Sequence, residues 1–137
     1  MIKIRGYVSS RNFMGNNIPQ QVQNMAIRDY CLKNSLEYHL SEVEYSMKKS
    51  YFAINGLLQD NQGMKGIVFY SVFQLPEEDE LRISLLKKAL NKKIFKYFTI
   101  ENMILKNASD INEIDELVKL RKIFRDPNLI WPYAINE

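Results

Sequence analysis

The feature that most constrains this chain is a run from residue 66 to residue 72 that is built around Ile-Val-Phe-Tyr. A continuous apolar run of this length is typical of a strand that is buried on both faces of a parallel sheet. Parallel neighbours are joined by crossover connections, which place helices against the sheet. The run therefore favours an α/β fold.

Strand-like and helix-like segments alternate on both sides of this run. Pro19 fits the first turn of a helix, where its missing N–H is harmless, and acidic residues before basic ones in a later helix match the helix dipole. Strands are predicted at 2–8, 36–40, 66–72 and 94–100, and helices at 19–33, 51–62, 77–93 and 109–124, the last capped by Ser109. The segment at 41–50 is predicted as a loop and the tail from about residue 126 as irregular.

This order predicts one three-layer domain over residues 1–137, with a mostly parallel sheet of four or five strands and helices on both faces. Its net charge of +3 is not concentrated in one tail or run, so nucleic-acid binding is permitted but not indicated. A single cysteine, Cys31, and the absence of a leader-like start predict a cytoplasmic protein. No apolar run is long enough to predict membrane insertion.

Polar side chains follow the predicted strands, at the edge where open α/β sheets bind ligands. We expect a site formed by the strand-end residues together with one face of the first helix, although such a polar stripe is more often ordinary solvated surface. The candidate residues are Ser9, Ser10, Arg11, Glu44, Tyr45, Ser71, Gln74 and Glu101 from the strand ends, and Gln20, Gln23, Asn24 and Arg28 from the helix.

Ser9 is the candidate nucleophile and Glu44 the candidate acid or base, whereas Ser10 has the alternative role of capping a turn. His39, the only histidine, lies within a predicted strand, so a Ser-His-Asp hydrolase is not expected. One histidine and one cysteine give weak support for a metal site. The glycines match neither a phosphate loop nor a dinucleotide fingerprint, which leaves any cofactor unknown. Arg11 and Arg28 are the candidate anion-binding groups.

The segment from Arg5 to Ser10, followed by Pro19-Gln-Gln-Val-Gln, resembles the opening of the catalytic domain of the resolvase and invertase serine recombinases. The resemblance covers roughly residues 1 to 105 and implies a resolvase-like fold with Ser9 at the nucleophile's position. The family's arginine two residues earlier is Tyr7 here, and its Leu-Asp-Arg-Leu is Val-Phe-Gln-Leu, at 72–75. Serine attack on a phosphodiester needs positive donors, so an active recombinase is not expected.

A closer resemblance is to the sporadic carbohydrate cluster proteins of bacteria. It is carried by Gly-Tyr-Val-Ser-Ser-Arg at 6–11, Pro-Gln at 19–20, Gln-Asn at 23–24, Ile-Arg-Asp-Tyr-Cys at 27–31, Glu-Tyr at 44–45 and Tyr-Ser-Val-Phe-Gln-Leu-Pro at 70–76. Members are encoded among surface-polysaccharide genes, which implies a role in carbohydrate metabolism.

Three functions remain open at this point. The first is a protein that binds or transforms a sugar, sugar phosphate or nucleotide sugar at the strand ends. The others are a non-catalytic scaffold or regulatory subunit of a glycan-synthesis enzyme, and a degenerate recombinase-like DNA-binding protein. A homodimer is expected because the last helix is apolar around more than one face, and the resolvase-like fold implied by the resemblance commonly pairs through that region.

Overall fold

A five-stranded sheet with the order β2-β1-β3-β4-β5 forms the centre of the molecule. The computed structural model describes residues 1–10, 12–13, 17–44, 51–59 and 63–125. Strands β1 to β4 pair in parallel, and β5 pairs with β4 in the antiparallel direction. The strands are β1 Ile2–Ser9, β2 Leu36–Glu44, β3 Gly66–Phe69, β4 Phe95–Phe98 and β5 Met103–Leu105.

Helices cover both faces of this sheet. They are α1 Gln20–Lys33, α2 Phe52–Gln59, α3 Asp79–Asn91 and α4 Ala108–Arg125. Ile27 of α1 packs with Ile4 and Val8 of β1 in one core cluster. On the other face, Tyr7 and Phe69 belong to a larger cluster that includes side chains of α2, α3 and α4. The predicted α/β fold, with a mostly parallel sheet between helices, is confirmed.

Strand β2 is longer than predicted, because a bulge lets it continue past Leu40. Arg5 pairs with His39 and Tyr7 with Glu42, so two residues of β2 face Gly6. A Cβ at Gly6 would overlap the Ser41 hydroxyl, so a larger residue there requires the Ser41 side chain to rotate away. The Arg5 guanidinium donates to the Leu40 carbonyl at 2.6 Å and pairs with Glu42, and these bonds hold the bulge. Residues 41–44 therefore belong to the strand rather than to the predicted loop.

Other boundaries also differ from the prediction. Strand β3 ends at Phe69, since the Ser71 hydroxyl accepts from the Phe73 N–H and caps a 3-10 turn at Val72–Gln74. Strand β4 is shorter than predicted, and β5 follows it as a separate strand. Helix α2 ends at Gln59, and residues 60–62 and the predicted irregular tail lie outside the described residues.

The ends of α3 and α4 are set by local backbone chemistry. Helix α3 covers a shorter range than predicted, and Lys93, just after it, has a left-handed backbone with φ of 57°. Asn107 rather than Ser109 caps α4, because its side-chain oxygen accepts from the Asp110 N–H at 3.3 Å. The Asp110 carboxylate accepts from the Asn107 N–H in return, as in a capping box.

Arg82 joins α3 to α4 in the interior of the molecule. Its buried guanidinium donates to Asp115 of α4, to Asp79 of its own helix and to the carbonyls of Pro76 and Glu77. A buried charge is tolerated when it is paired and its donors are satisfied. None of the helices in the described ranges has the length and hydropathy of a membrane-spanning segment.

Candidate functional site

Three uncharged side chains meet at the carboxyl end of β1. The Ser9 N–H donates to the Gln23 side-chain oxygen at 2.9 Å, and the Gln23 amide nitrogen donates back to the Ser9 carbonyl at 2.8 Å. The Gln74 amide nitrogen donates to the Ser9 hydroxyl at 3.1 Å and to the Gln23 oxygen at 3.0 Å. All three residues are buried, so the structure brings these predicted site residues together as an internal network.

The orientation of Gln74 is fixed by the 3-10 turn that follows β3. Its side-chain oxygen accepts from the N–H groups of Tyr70 and Ser71, at 2.9 and 3.1 Å. The amide NH₂ must therefore point toward Ser9. The Ser9 hydroxyl consequently faces a hydrogen-bond donor and not the base that a nucleophilic serine needs.

Ser71 and Glu101 form the part of this edge that is nearer to solvent. The Ser71 hydroxyl donates to one Glu101 carboxylate oxygen at 2.7 Å, and the Val72 N–H donates to the other at 2.9 Å. Burial raises the pKa of Glu101, and these two bonds oppose that rise. The half-buried carboxylate is thus held in place while one side stays open to solvent.

Glu44 directs its carboxylate away from Ser9, although the two residues are register partners on neighbouring strands. It accepts from the Tyr7 hydroxyl at 3.0 Å and from the Ala53 N–H of α2 at 2.9 Å. A carboxylate at a helix N-terminus satisfies N–H groups that lack partners within the helix. Sequence analysis did not anticipate the hydrogen bond between Tyr7 and Glu44. The only feature of the sequence that pointed to Tyr7 is that it replaces the family's arginine.

Ser10 bridges the end of β1 to the last carbonyl of β2, and no local turn-capping bond of its side chain is seen among the described residues. Its N–H donates to the Glu44 carbonyl at 2.8 Å and its hydroxyl donates to the same oxygen at 3.2 Å. The hydroxyl is half-buried, so it still lies at the surface of the carboxyl edge.

The predicted polar stripe on α1 divides into two groups. Gln23 joins the Ser9 network, whereas the Asn24 oxygen accepts from the Ser41 hydroxyl at 2.7 Å. The exposed Arg28 guanidinium lies 5.2 Å from the centre of the Tyr38 ring, over β2. Gln20 is half-buried at the start of the helix. Arg11 and Tyr45 lie outside the described residues.

The described charged groups at the carboxyl edge are of both signs, because Asp79 pairs there with Arg82 and with Lys122. Glu101 lies at this edge, and the sequence Glu-Glu-Asp-Glu at 77–80 opens α3 there. Among the described residues, no lysine or arginine side chain is hydrogen-bonded to Ser9 or Gln23. No group of histidine, cysteine and acidic residues in the described ranges is suited to hold a metal ion.

The fold and this edge together define a single α/β domain with a resolvase-like fold, in which the strand-end serine lies in a network of amides. The chain is similar to a resolvase family site-specific recombinase from Streptococcus pneumoniae, at 13% identity and a TM-score of 0.66, over 91% of each chain. It is also similar to the N-terminal catalytic domain of TP901-1 integrase, at 16% identity and a TM-score of 0.63, over 90% of this chain and 96% of that one.

These likenesses establish the fold alone. At such low sequence identity, the function of the similar proteins does not follow for this chain. No protein-family model matches the chain, and no curated protein matches it either. The resolvase part of the resemblance is confirmed at the level of fold, while the carbohydrate-cluster resemblance stays a prediction.

Proposed function

We propose that this chain binds a carbohydrate ligand, such as a sugar, sugar phosphate or nucleotide sugar, at the carboxyl edge of its sheet and does not recombine DNA. The observation that carries the proposal is the hydrogen bond from the Gln74 amide to the buried Ser9 hydroxyl. An uncharged donor occupies the place where strand cleavage would need cations to stabilise the developing charge.

Side chains at the edge support the same proposal. Glu101 is half-buried at this edge, and a carboxylate is a good acceptor for sugar hydroxyls. Phe13 and Tyr70 pack edge to face with their ring centres 6.0 Å apart, and the half-buried Tyr70 offers an apolar surface with a polar tip.

Two sets of residues take different roles in this proposal. The half-exposed side chains of Ser10, Gln20, Asn24 and Glu101 contact the ligand, with Arg11 and Tyr45 as further proposed contacts. Arg28 stands over Tyr38 in the amino-terminal half of β2, so it lies away from this edge. Ser9, Gln23, Ser71 and Gln74 are buried and hold the surface groups in position. Any chemical step would use Glu44 or Ser9, and each must first leave the hydrogen bonds described above.

Thermal unfolding of the purified protein with nucleotides, sugar phosphates, nucleotide sugars and duplex DNA tests the proposal. A ligand at a hundred times its Kd adds about 2.7 kcal/mol, which is a rise of roughly 10 °C for a domain of this size. The Glu101→Gln variant is expected to reduce the rise, and the exposed Ser84→Ala, away from this edge, to keep it. Silence of every sugar at saturating concentration contradicts the proposal.

A second candidate is recombinase-like DNA binding, which the fold likeness over about nine tenths of two recombinase domains favours. It predicts a rise with duplex DNA alone that falls steeply with salt, because phosphate contacts release counterions. A scaffold role in glycan synthesis would instead give a co-purifying enzyme and no response to sugars.

A further inference from the structure

The amino edge of the sheet, opposite the candidate site, carries a row of exposed lysines. Lys3 lies in β1, Lys65 precedes β3, Lys92 and Lys93 precede β4, and Lys106 follows β5. We call these five residues the basic edge. They come from separate turns of the chain, which is why no basic run is visible in the sequence.

Backbone pairing places the basic edge in one row. The Lys65 N–H donates to the Lys3 carbonyl at 2.8 Å, and the Phe95 N–H donates to the Lys65 carbonyl at 2.9 Å. Lys96 pairs with Leu105, so Lys106 leaves β5 beside the start of β4. Neighbouring strands are about 4.8 Å apart, and the row from β1 to β5 therefore spans about 14 Å.

The positive charge of this row is weakly compensated. In the described ranges, no ion pair joins Lys65, Lys92, Lys93 or Lys106 to a carboxylate. Nearby carboxylates offset part of this charge: Glu37 lies close to Lys3, and the Asp110 carboxylate accepts from the N–H groups of Lys106 and Asn107, whereas Asp29 pairs with Lys33. Helix α3 begins at the opposite edge, where its first acidic residue, Asp79, pairs with Arg82 and Lys122.

Exposed apolar side chains flank the basic edge. Leu32, in the last turn of α1, is 82% exposed, and Met1, two residues before Lys3, is 84% exposed. Pairing of Ile2 with Leu36 brings the end of α1 close to the start of β1. Apolar side chains beside lysines suit an interface in which headgroups meet the charges and acyl chains meet the apolar groups.

We propose that the basic edge docks this domain on a membrane surface that contains anionic lipids. The lysines contact lipid phosphate and carboxylate groups while Leu32 enters the headgroup layer. A docked domain presents its carboxyl edge, with Ser10 and Glu101, away from the bilayer. This inference concerns a different surface from the proposed carbohydrate site and does not depend on it.

Co-sedimentation with vesicles tests the docking surface. The full chain is mixed with vesicles of phosphatidylcholine alone, or of phosphatidylcholine and phosphatidylserine, at low and at high salt. We expect binding to the anionic vesicles only, weakened by salt. Each surface lysine contributes about fivefold to binding, so replacing Lys65, Lys92 and Lys106 by Gln should weaken it on the order of a hundredfold.

A charge-matched variant separates the row from net charge. Asn17→Asp, Gln21→Glu and Ser84→Glu, all at exposed positions away from the basic edge, lower the net charge by the same amount as the triple lysine variant. We expect this control to bind far better than the lysine variant. Equal loss of binding in both variants, or equal binding to neutral vesicles, overturns the proposal.

Leu32→Gln distinguishes a membrane from a nucleic acid. This change keeps every charge, so it should weaken vesicle binding several-fold. Binding of duplex DNA or RNA by the same lysines, with no binding to anionic vesicles, would assign the basic edge to nucleic acid and overturn the membrane proposal. Circular dichroism of each variant confirms that the fold is retained.

Discussion

At the scale of single residues, Lys96 is the most unusual group in the core. It lies on β4, fully buried, with its amine 5.3 Å from the centre of the Phe69 ring and without a hydrogen-bond partner among the described residues. Burial lowers the pKa of Lys96 from 10.5 to about 7. The unfolded chain therefore binds more protons than the folded one between these two pH values.

We expect the free energy of unfolding to rise between pH 7 and pH 8.5, by up to about 1.4 kcal/mol per pH unit. Burial raises the pKa of Cys31 to about 11 and also raises the pKa values of Tyr30 and Tyr97, so these groups oppose the trend only at higher pH. Urea unfolding across this range measures the slope. Lys96→Met should flatten it, and Lys87→Met, at an exposed site, should not.

Gln74 provides a second test at the residue scale. Replacing it by Ala leaves the N–H groups of Tyr70 and Ser71 and the hydroxyl of Ser9 without the partner that Gln74 supplies. We expect a loss of about 2 to 3 kcal/mol in the free energy of unfolding, since unsatisfied buried groups are costly. Urea unfolding measures it, with the exposed Gln21→Ala as control. A loss as small as the control's would show that the network does not stabilise the fold.

The sequence predicted part of this site, for a definite physical reason. Ser9, Ser71 and Gln74 follow parallel strands, and parallel strands must end at one edge. Their burial was not predictable, because it depends on Gln23 entering from α1 and on the exact turn after β3. The partners of Glu44 were hidden for a similar reason, since α2 lies across the sheet from α1.

At the scale of elements, the pair Arg82 and Asp115 fixes α4 against α3. The pKa of Asp115 is lowered overall: burial raises it, but the hydrogen bonds from Arg82 and Lys119 lower it by more. Asp115→Asn removes the charge that balances a buried guanidinium. We expect a loss of about 3 to 5 kcal/mol in the free energy of unfolding.

The double variant Arg82→Met/Asp115→Leu distinguishes pairing from packing. It removes both charges and keeps the side-chain volume close to the original, so it should be more stable than Asp115→Asn alone. Chemical unfolding of the unmodified protein and of both variants completes the comparison. If the double variant is the least stable, the pair contributes more to the free energy of unfolding than the neutralisation of each charge by the other.

Element boundaries were less predictable than element types. The extension of β2 depends on a bulge in which residues 40 and 41 both face Gly6. A bulge interrupts the alternation of side chains along a strand, so the sequence pattern of β2 by itself did not show that the strand continues. Strand β5 has three residues, too few for an alternation to be recognised. The cap of α4 was misplaced by two residues, because Ser109 and Asn107 are both good capping types and only the reciprocal bond of Asp110 decides between them.

At the scale of the whole molecule, charge is distributed in a way that composition does not reveal. A net charge of +3 is modest, but the fold gathers five exposed lysines from separate turns at the amino edge of the sheet. The sequence correctly predicted the α/β architecture, because a strand buried on both faces needs helices that cover the sheet, and parallel strands need crossover connections that supply those helices. Surface patches depend instead on which turns converge, and this follows only from strand order and register.

The outer side of α4 gives the last prediction at this scale. Leu120, Ile123 and Phe124 are 50%, 43% and 63% exposed and lie at i, i+3 and i+4, so they form one apolar stripe. A two-fold pairing of this stripe would bury all three residues against the same stripe of a second copy. We expect a dimer in sedimentation equilibrium.

Ile123→Glu should shift the sedimentation equilibrium toward monomer, because it would place two like charges at the centre of the interface. Met25→Glu is the matched control, since it adds the same charge at an exposed apolar position on α1. A chain that remains dimeric with Ile123→Glu dimerises through another surface. A chain that is monomeric at every concentration would contradict the dimer. The stripe would then remain available to a different protein, as the scaffold function requires.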